Sequence, residues 1–122
     1  MAGEPYWFEI GVADPTRARS FYGGLLGWEF ETGPSGDAAA GAVIRTPGID
    51  GGLHGGDPGA SPYLFFRVDD MDLALARVAE LGGKVEPAPG VDPDQASEFG
   101  RFALCRDDQG SPFGLHQPPA SR

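Results

Sequence analysis

The amino-acid sequence predicts an α+β fold assembled from two βαβββ modules. Three observations predict it. Trp7–Asp14 and Tyr63–Asp70 align under one fixed shift. That shift also matches Val12 with Val68, Ala18 with Ala74, Leu25 with Leu81 and Gly27 with Gly83. Later in each half, Gly52-Leu53-His54 recurs as Gly114-Leu115-His116. Self-similarity in the same order in both halves is the signature of a duplicated supersecondary unit.

Each element then follows from local chemistry. Residues 6–12 are aromatic and aliphatic and read as a strand ending at Ala13-Asp14-Pro15. Asp14 is a good helix N-cap and Pro15 suits the first helical position. Ala18, Phe21, Tyr22 and Leu25 recur at helical spacing, and Gly27 stops the helix. Residues 28–32 alternate as a half-buried strand, and Gly33-Pro-Ser-Gly36 marks a turn. Residues 40–45 and 52–54 complete the half, with Thr46–Asp50 turning between them.

The second half repeats the plan. Residues 62–68 read as a strand, and Asp70 caps a helix with Asp72 in its first turn, where the dipole favours an acid. Leu73, Ala76, Arg77 and Glu80 follow at helical spacing, and Leu81-Gly-Gly83 ends the helix. Residues 84–87 form a short strand and Pro89–Glu98 a polar loop. Residues 99–106 and 112–117 are strands joined by a turn at Asp107–Gly110. The chain is thus expected to be a single domain over 1–122. Its first module covers 5–56, a linker 57–60, the second module 61–118 and a tail 119–122.

Bulk composition narrows the function classes. The 122 residues carry a net charge of −9, which repels phosphate backbones and argues against nucleic acid. The N-terminus lacks a basic region followed by an apolar core, so no signal peptide is expected. No apolar run approaches the length of about 18 residues that a membrane span requires. Cys105 is the only cysteine, which suits a reducing compartment and leads to a cytoplasmic expectation. It reads as a small buried strand residue rather than a nucleophile.

The strand ending in Val12-x-Asp14, the helix with Ser20-Phe21-Tyr22, and Leu26-Gly27-Trp28 resemble the vicinal-oxygen-chelate superfamily. So do Val68-Asp69-Asp70 through Leu81-Gly82-Gly83, and the Asp107-Asp-Gln-Gly110 turn before the last strand. That superfamily includes glyoxalase I, extradiol dioxygenases and bleomycin-resistance proteins. The resemblance implies a curved mixed sheet with helices outside and a ligand site on the concave face. It also implies a homodimer, because relatives commonly complete the cavity with a second copy.

In metal-dependent members, four His, Gln or Glu ligands come from the first and last strands of each half. The resemblance places those positions at Trp7, Tyr63, Gly52 and Gly114, none of which is a usual ligand. No metal or other cofactor is therefore expected. The favoured reading is metal-independent binding of a small, aromatic or cationic molecule. One alternative is an enzyme, a lyase, isomerase or dioxygenase, using a displaced metal site at Glu9, His54 and His116. Another is a dimeric interaction module without a ligand.

The candidate ligand-binding residues are Trp7, Glu9, His54, Tyr63, Phe65, Phe102, Phe113 and His116. Glu9 interrupts an aromatic strand, and an acid there is costly to bury unpaired. It is a candidate for pairing with Arg45, Arg67 or Arg101, for accepting a hydrogen bond from a ligand, and for general-base catalysis. Glycines 51, 52, 55, 56 and 59 surround His54 and read as a flexible loop or as a lid over the cleft.

Overall fold

The computed structural model describes residues 3–32, 41–57, 62–86, 93–94 and 98–119. The turn expected at 33–36, Gly59, most of the loop expected at 89–98 and the last three residues lie outside them. The described chain makes two βαβββ modules, in the order the repeat predicts. The first comprises β1 (Pro5–Gly11), α1 (Pro15–Leu26), β2 (Glu29–Thr32), β3 (Gly41–Arg45) and β4 (Gly51–His54). The second comprises β5 (Tyr63–Arg67), α2 (Met71–Glu80), β6 (Lys84–Glu86), β7 (Arg101–Arg106) and β8 (Pro112–Gln117). Residues Trp7–Tyr63 pack as one compact unit, and residues up to Tyr6 pack with Leu64 onward as the other.

Both helices begin as their caps dictate. The Asp14 carboxylate accepts from Thr16 N at 3.0 Å and Arg17 N at 3.3 Å. The Asp70 carboxylate accepts from Leu73 N at 3.1 Å. Each satisfies orphan amides that would otherwise face water. Gly27 ends α1 in the left-handed region at φ 73°, which an L side chain adopts only with strain.

Within the first module, β4 runs parallel to β1 and antiparallel to β3, which pairs in turn with β2. In the second, β8 runs parallel to β5 and antiparallel to β7, which pairs with β6. The registers are equivalent residue for residue. Glu9 stands opposite Gly52 as Phe65 stands opposite Gly114. Val12 N donates to the His54 carbonyl and Val68 N to the His116 carbonyl, each at 2.9 Å. The repeat read in the sequence is therefore a repeat of hydrogen-bond register.

Side chains alternate between sheet faces, so each module has a helix face and an opposite face, open in the sense that no helix of the module covers it. On the helix face of the first, Ile10, Ala42, Ile44 and Leu53 pack with Ala18 of α1, flanked by Phe8, Val12, Tyr22, Trp28 and Phe30. On the helix face of the second, Ala103, Cys105 and Leu115 pack with Met71, flanked by Ala74, Leu75, Val78 and Phe113. Burial of the Cys105 thiol pushes its pKa up to about 11, as an inert core residue requires.

Phe113 was expected on the ligand face. It shares a face with Leu115 and pairs with Cys105, so it packs under α2. The strand period of two makes Phe113 and His116 face opposite ways. In α2, Leu73 is 64 % exposed, and Met71, Ala74, Leu75 and Val78 form the packing face instead. In α1, Ala18 and Tyr22 pack inward, whereas Phe21 and Leu25 are 62 % and 65 % exposed.

Candidate functional site

Alternation along β1 puts Trp7 and Glu9 on the open face of the first module, and β4 presents His54 beside them. Trp7 Nε1 donates to Glu9 Oε1 at 3.0 Å. His54 Nδ1 donates to Glu9 Oε2 at 2.9 Å, and His54 Nε2 donates to Asp57 Oδ2 at 3.0 Å. The Asp57 amide in turn donates to the Val12 carbonyl at 3.1 Å, which fixes the residue against the end of β1. The result is a half-buried chain of contacts, Trp7–Glu9–His54–Asp57, with Tyr63 in the same unit.

Electrostatics follow from this geometry. The Glu9 hydrogen bond, aided by Asp57 and opposed by partial burial, raises the His54 pKa to about 9. His54 is therefore an imidazolium at neutral pH, with both ring N–H groups spent on carboxylates. Tyr63 is pushed up to about 12, first by desolvation and then by the negative charges of Glu9 and Asp57. The site is thus partly dry and carries one net negative charge.

The open face of the second module is built from rings. Phe102 stacks on His116 with centroids 4.2 Å apart at 7°, and Phe65 meets Phe102 edge-on at 5.4 Å. Tyr6 tilts against His116 at 5.5 Å. His116 Nε2 donates to the Phe99 carbonyl at 2.6 Å. Burial lowers the His116 pKa, with the Phe99 bond opposing it. Two histidines at equivalent repeat positions are thus pushed in opposite directions.

These shifts have a pH consequence with two signs. His54 has a folded pKa above its unfolded value. Its contribution is fully present below pH 6.5 and lost as pH rises through about 9. Because the His54 side chain is more than a third exposed, screening reduces the loss to about 1 kcal/mol. His116 has a lowered folded pKa. Its contribution is present above pH 6.5 and lost as pH falls below that. Histidine ring NMR should show one midpoint near 9 that moves in Glu9→Gln, and one below 6.5 that does not. Two midpoints close to 6.5 would contradict the assignment.

The metal positions implied by the resemblance do not fit a metal. Gly52 and Gly114 offer no ligand, and their space is taken. A Cβ at Gly52 would collide with the Glu9 carboxylate, and one at Gly114 with the Phe65 ring. Both ring nitrogens of His54 already face carboxylates, Nδ1 the Glu9 side chain and Nε2 that of Asp57, so neither points to an open position. Among the described residues, no group of three or more His, Cys, Asp or Glu side chains is arranged to hold a metal. A displaced site would need Glu9, His54 and His116 to converge. Each histidine is instead engaged within its own module, His54 on Glu9 and Asp57 and His116 on Phe99.

The arginines expected beside Glu9 are occupied elsewhere. Arg45 pairs with Glu31 and Asp50, Arg67 with Glu4 and Asp69, and Arg101 with Asp72. Asp57, which sequence reasoning did not single out, completes the site. The one signal for it was its spacing, three residues beyond His54 in a glycine-rich segment.

Comparison with known proteins agrees with this architecture. The candidate glyoxylase CFP32 of Mycobacterium bovis is 29 % identical over 128 residues, covering 94 % of this chain and 46 % of that protein. The chain thus spans about half the length of the curated relatives it matches. Methylmalonyl-CoA epimerase from Mycobacterium tuberculosis superposes with a TM-score of 0.67 at 19 % identity, covering 96 % of this chain and 89 % of that one. The epimerase of Streptomyces coelicolor gives 0.65 at 16 % identity, covering 98 % and 100 %. At such identities these two show a shared fold. The glyoxalase-like domain family matches residues 7–116, nearly the whole chain, and the protein belongs to that family.

Proposed function

We propose that this protein binds a small molecule carrying a cationic or strongly donating group beside an aromatic ring, without a metal. The observation that supports this best is the half-buried Glu9 carboxylate, oriented by Trp7 and His54 on an aromatic face. A carboxylate held in place by two donors loses little freedom on accepting a third. The neighbouring Tyr63 ring, only partly buried, adds area, and a cation over a ring adds about 0.5–2 kcal/mol when desolvated. His54 already neutralises one of the two carboxylates, so the surplus charge is −1, which suits a monocation.

Benzamidinium and benzamide test the reading, because they share a shape and differ in charge. Thermal-shift and calorimetric titrations should show the cation stabilising the protein and the amide doing so less. No preference for the cation would sink the proposal. Metal analysis of protein purified without chelators should give well under one equivalent, and no glyoxalase activity is expected. About one equivalent of zinc, nickel or iron, lost in His54→Ala or His116→Ala, would restore the enzymatic reading with a displaced centre.

A further inference from the structure

Gly52 lies in β4, opposite Glu9 in β1 and Val43 in β3. Its φ is not positive, so the backbone does not demand glycine there. What demands it is a side chain. The three heavy atoms nearest a Cβ at this position all belong to the Glu9 carboxylate group. Glu9 lies flat across β4 in the space a side chain at position 52 would fill. From there its two oxygens reach Trp7 and His54.

The second module repeats the arrangement with other chemistry. Gly114, also without a positive φ, leaves space that the Phe65 ring fills. One vacancy in the last strand thus receives a residue from the first strand, a carboxylate in one module and a ring in the other. The pairing is register-equivalent, Glu9 with Gly52 and Phe65 with Gly114.

We propose that Gly52 is a positioning residue: by presenting no side chain, it lets Glu9 cross β4 and join Trp7 to His54. Any side chain at position 52 would turn the carboxylate away and uncouple His54 from it. The ligand arm of the test rests on the function proposed above. The positioning arm does not.

The experiment is a histidine NMR titration of wild type, Gly52→Ala, Glu9→Gln and the double variant. Gly52→Ala should lower the His54 midpoint by at least about one unit, toward the ordinary value of about 6.5. Glu9→Gln should lower it similarly, and the double variant no further, since both act through one bond. The His116 midpoint should stay put in all three, which a general loosening of structure would not allow. An unchanged His54 midpoint in Gly52→Ala, or a further fall in the double variant, overturns the proposal.

If Gly52→Ala fails to fold, Gly52→Ala/Glu9→Ala decides. Recovery of folding shows that the conflict was with Glu9 alone, and continued failure overturns the claim. Benzamidinium binding in the same variants separates the two ideas. A wild type that ignores the probe defeats the function proposed above, while the His54 midpoints still judge Gly52.

Discussion

Gly114→Ala is expected to destabilise the protein by about 2–3 kcal/mol, the upper part of the range of about 1–3 kcal/mol for overpacking a core. The added methyl group would meet the Phe65 ring, and that ring has nowhere to go. Phe65 is 1 % exposed and wedged edge-on against Phe102, which itself stacks on His116. Displacing it would disturb the whole ring stack. Gly52→Ala makes the same nominal collision, but with the far end of a flexible, partly exposed glutamate. Its cost should be smaller, about 1 kcal/mol, because the lost bond is partly screened and alanine restricts the unfolded chain. Urea unfolding of the two variants measures the contrast. Phe65→Leu in the Gly114→Ala background should recover part of the loss, as coupled neighbours do. Equal costs for the two alanines would contradict the packing described here.

Glu9→Gln should weaken benzamidinium binding by roughly tenfold, which corresponds to about 1.4 kcal/mol and is typical of losing a charge-assisted hydrogen bond. Benzamide should be almost unaffected. Glutamine keeps an acceptor for Trp7 Nε1 and nearly the same shape, so the fold should survive. Asp57→Asn should do less to the cation, because Asp57 is more exposed than Glu9. Calorimetry on the three proteins reads the differences directly. Equal weakening of both probes by Glu9→Gln would make Glu9 a structural acid and remove the specific acceptor from the site.

Much of the architecture was legible in the sequence, because the signals that encode it are local. Asp14 and Asp70 cap helices through amides two or three residues away. Gly27 supplies a left-handed turn with its own φ. The Gly-Leu-His repeat announced two equivalent strands, and both pair in parallel with the first strand of their module. Sharing of a face by Trp7 and Glu9 follows from the strand period of two, and the Trp7–Glu9 hydrogen bond agrees. The same rule, applied strictly, separates Phe113 from Gly114 and His116.

The partnerships were decided only by tertiary structure. Arg45, Arg67 and Arg101 were each candidates for Glu9, and the fold gave it a histidine. Strand pairing brings residue 9 beside residue 52 and within reach of residue 54, a separation of 45 residues along the chain. The Gly-Leu-His repeat places Gly52 in a strand but does not say why it is glycine, since that necessity arises from the space Glu9 occupies across the ladder. His54 and His116 look alike in sequence, preceded by the same Gly-Leu. One becomes a cation between the Glu9 and Asp57 carboxylates and the other a ring buried among Tyr6 and Phe102, so their pKa values move in opposite directions. Backbone conformation answers to neighbours in sequence, whereas charge and void answer to neighbours in space. The sequence therefore determined two βαβββ modules, and the tertiary structure decided their register and which charges and rings each open face presents.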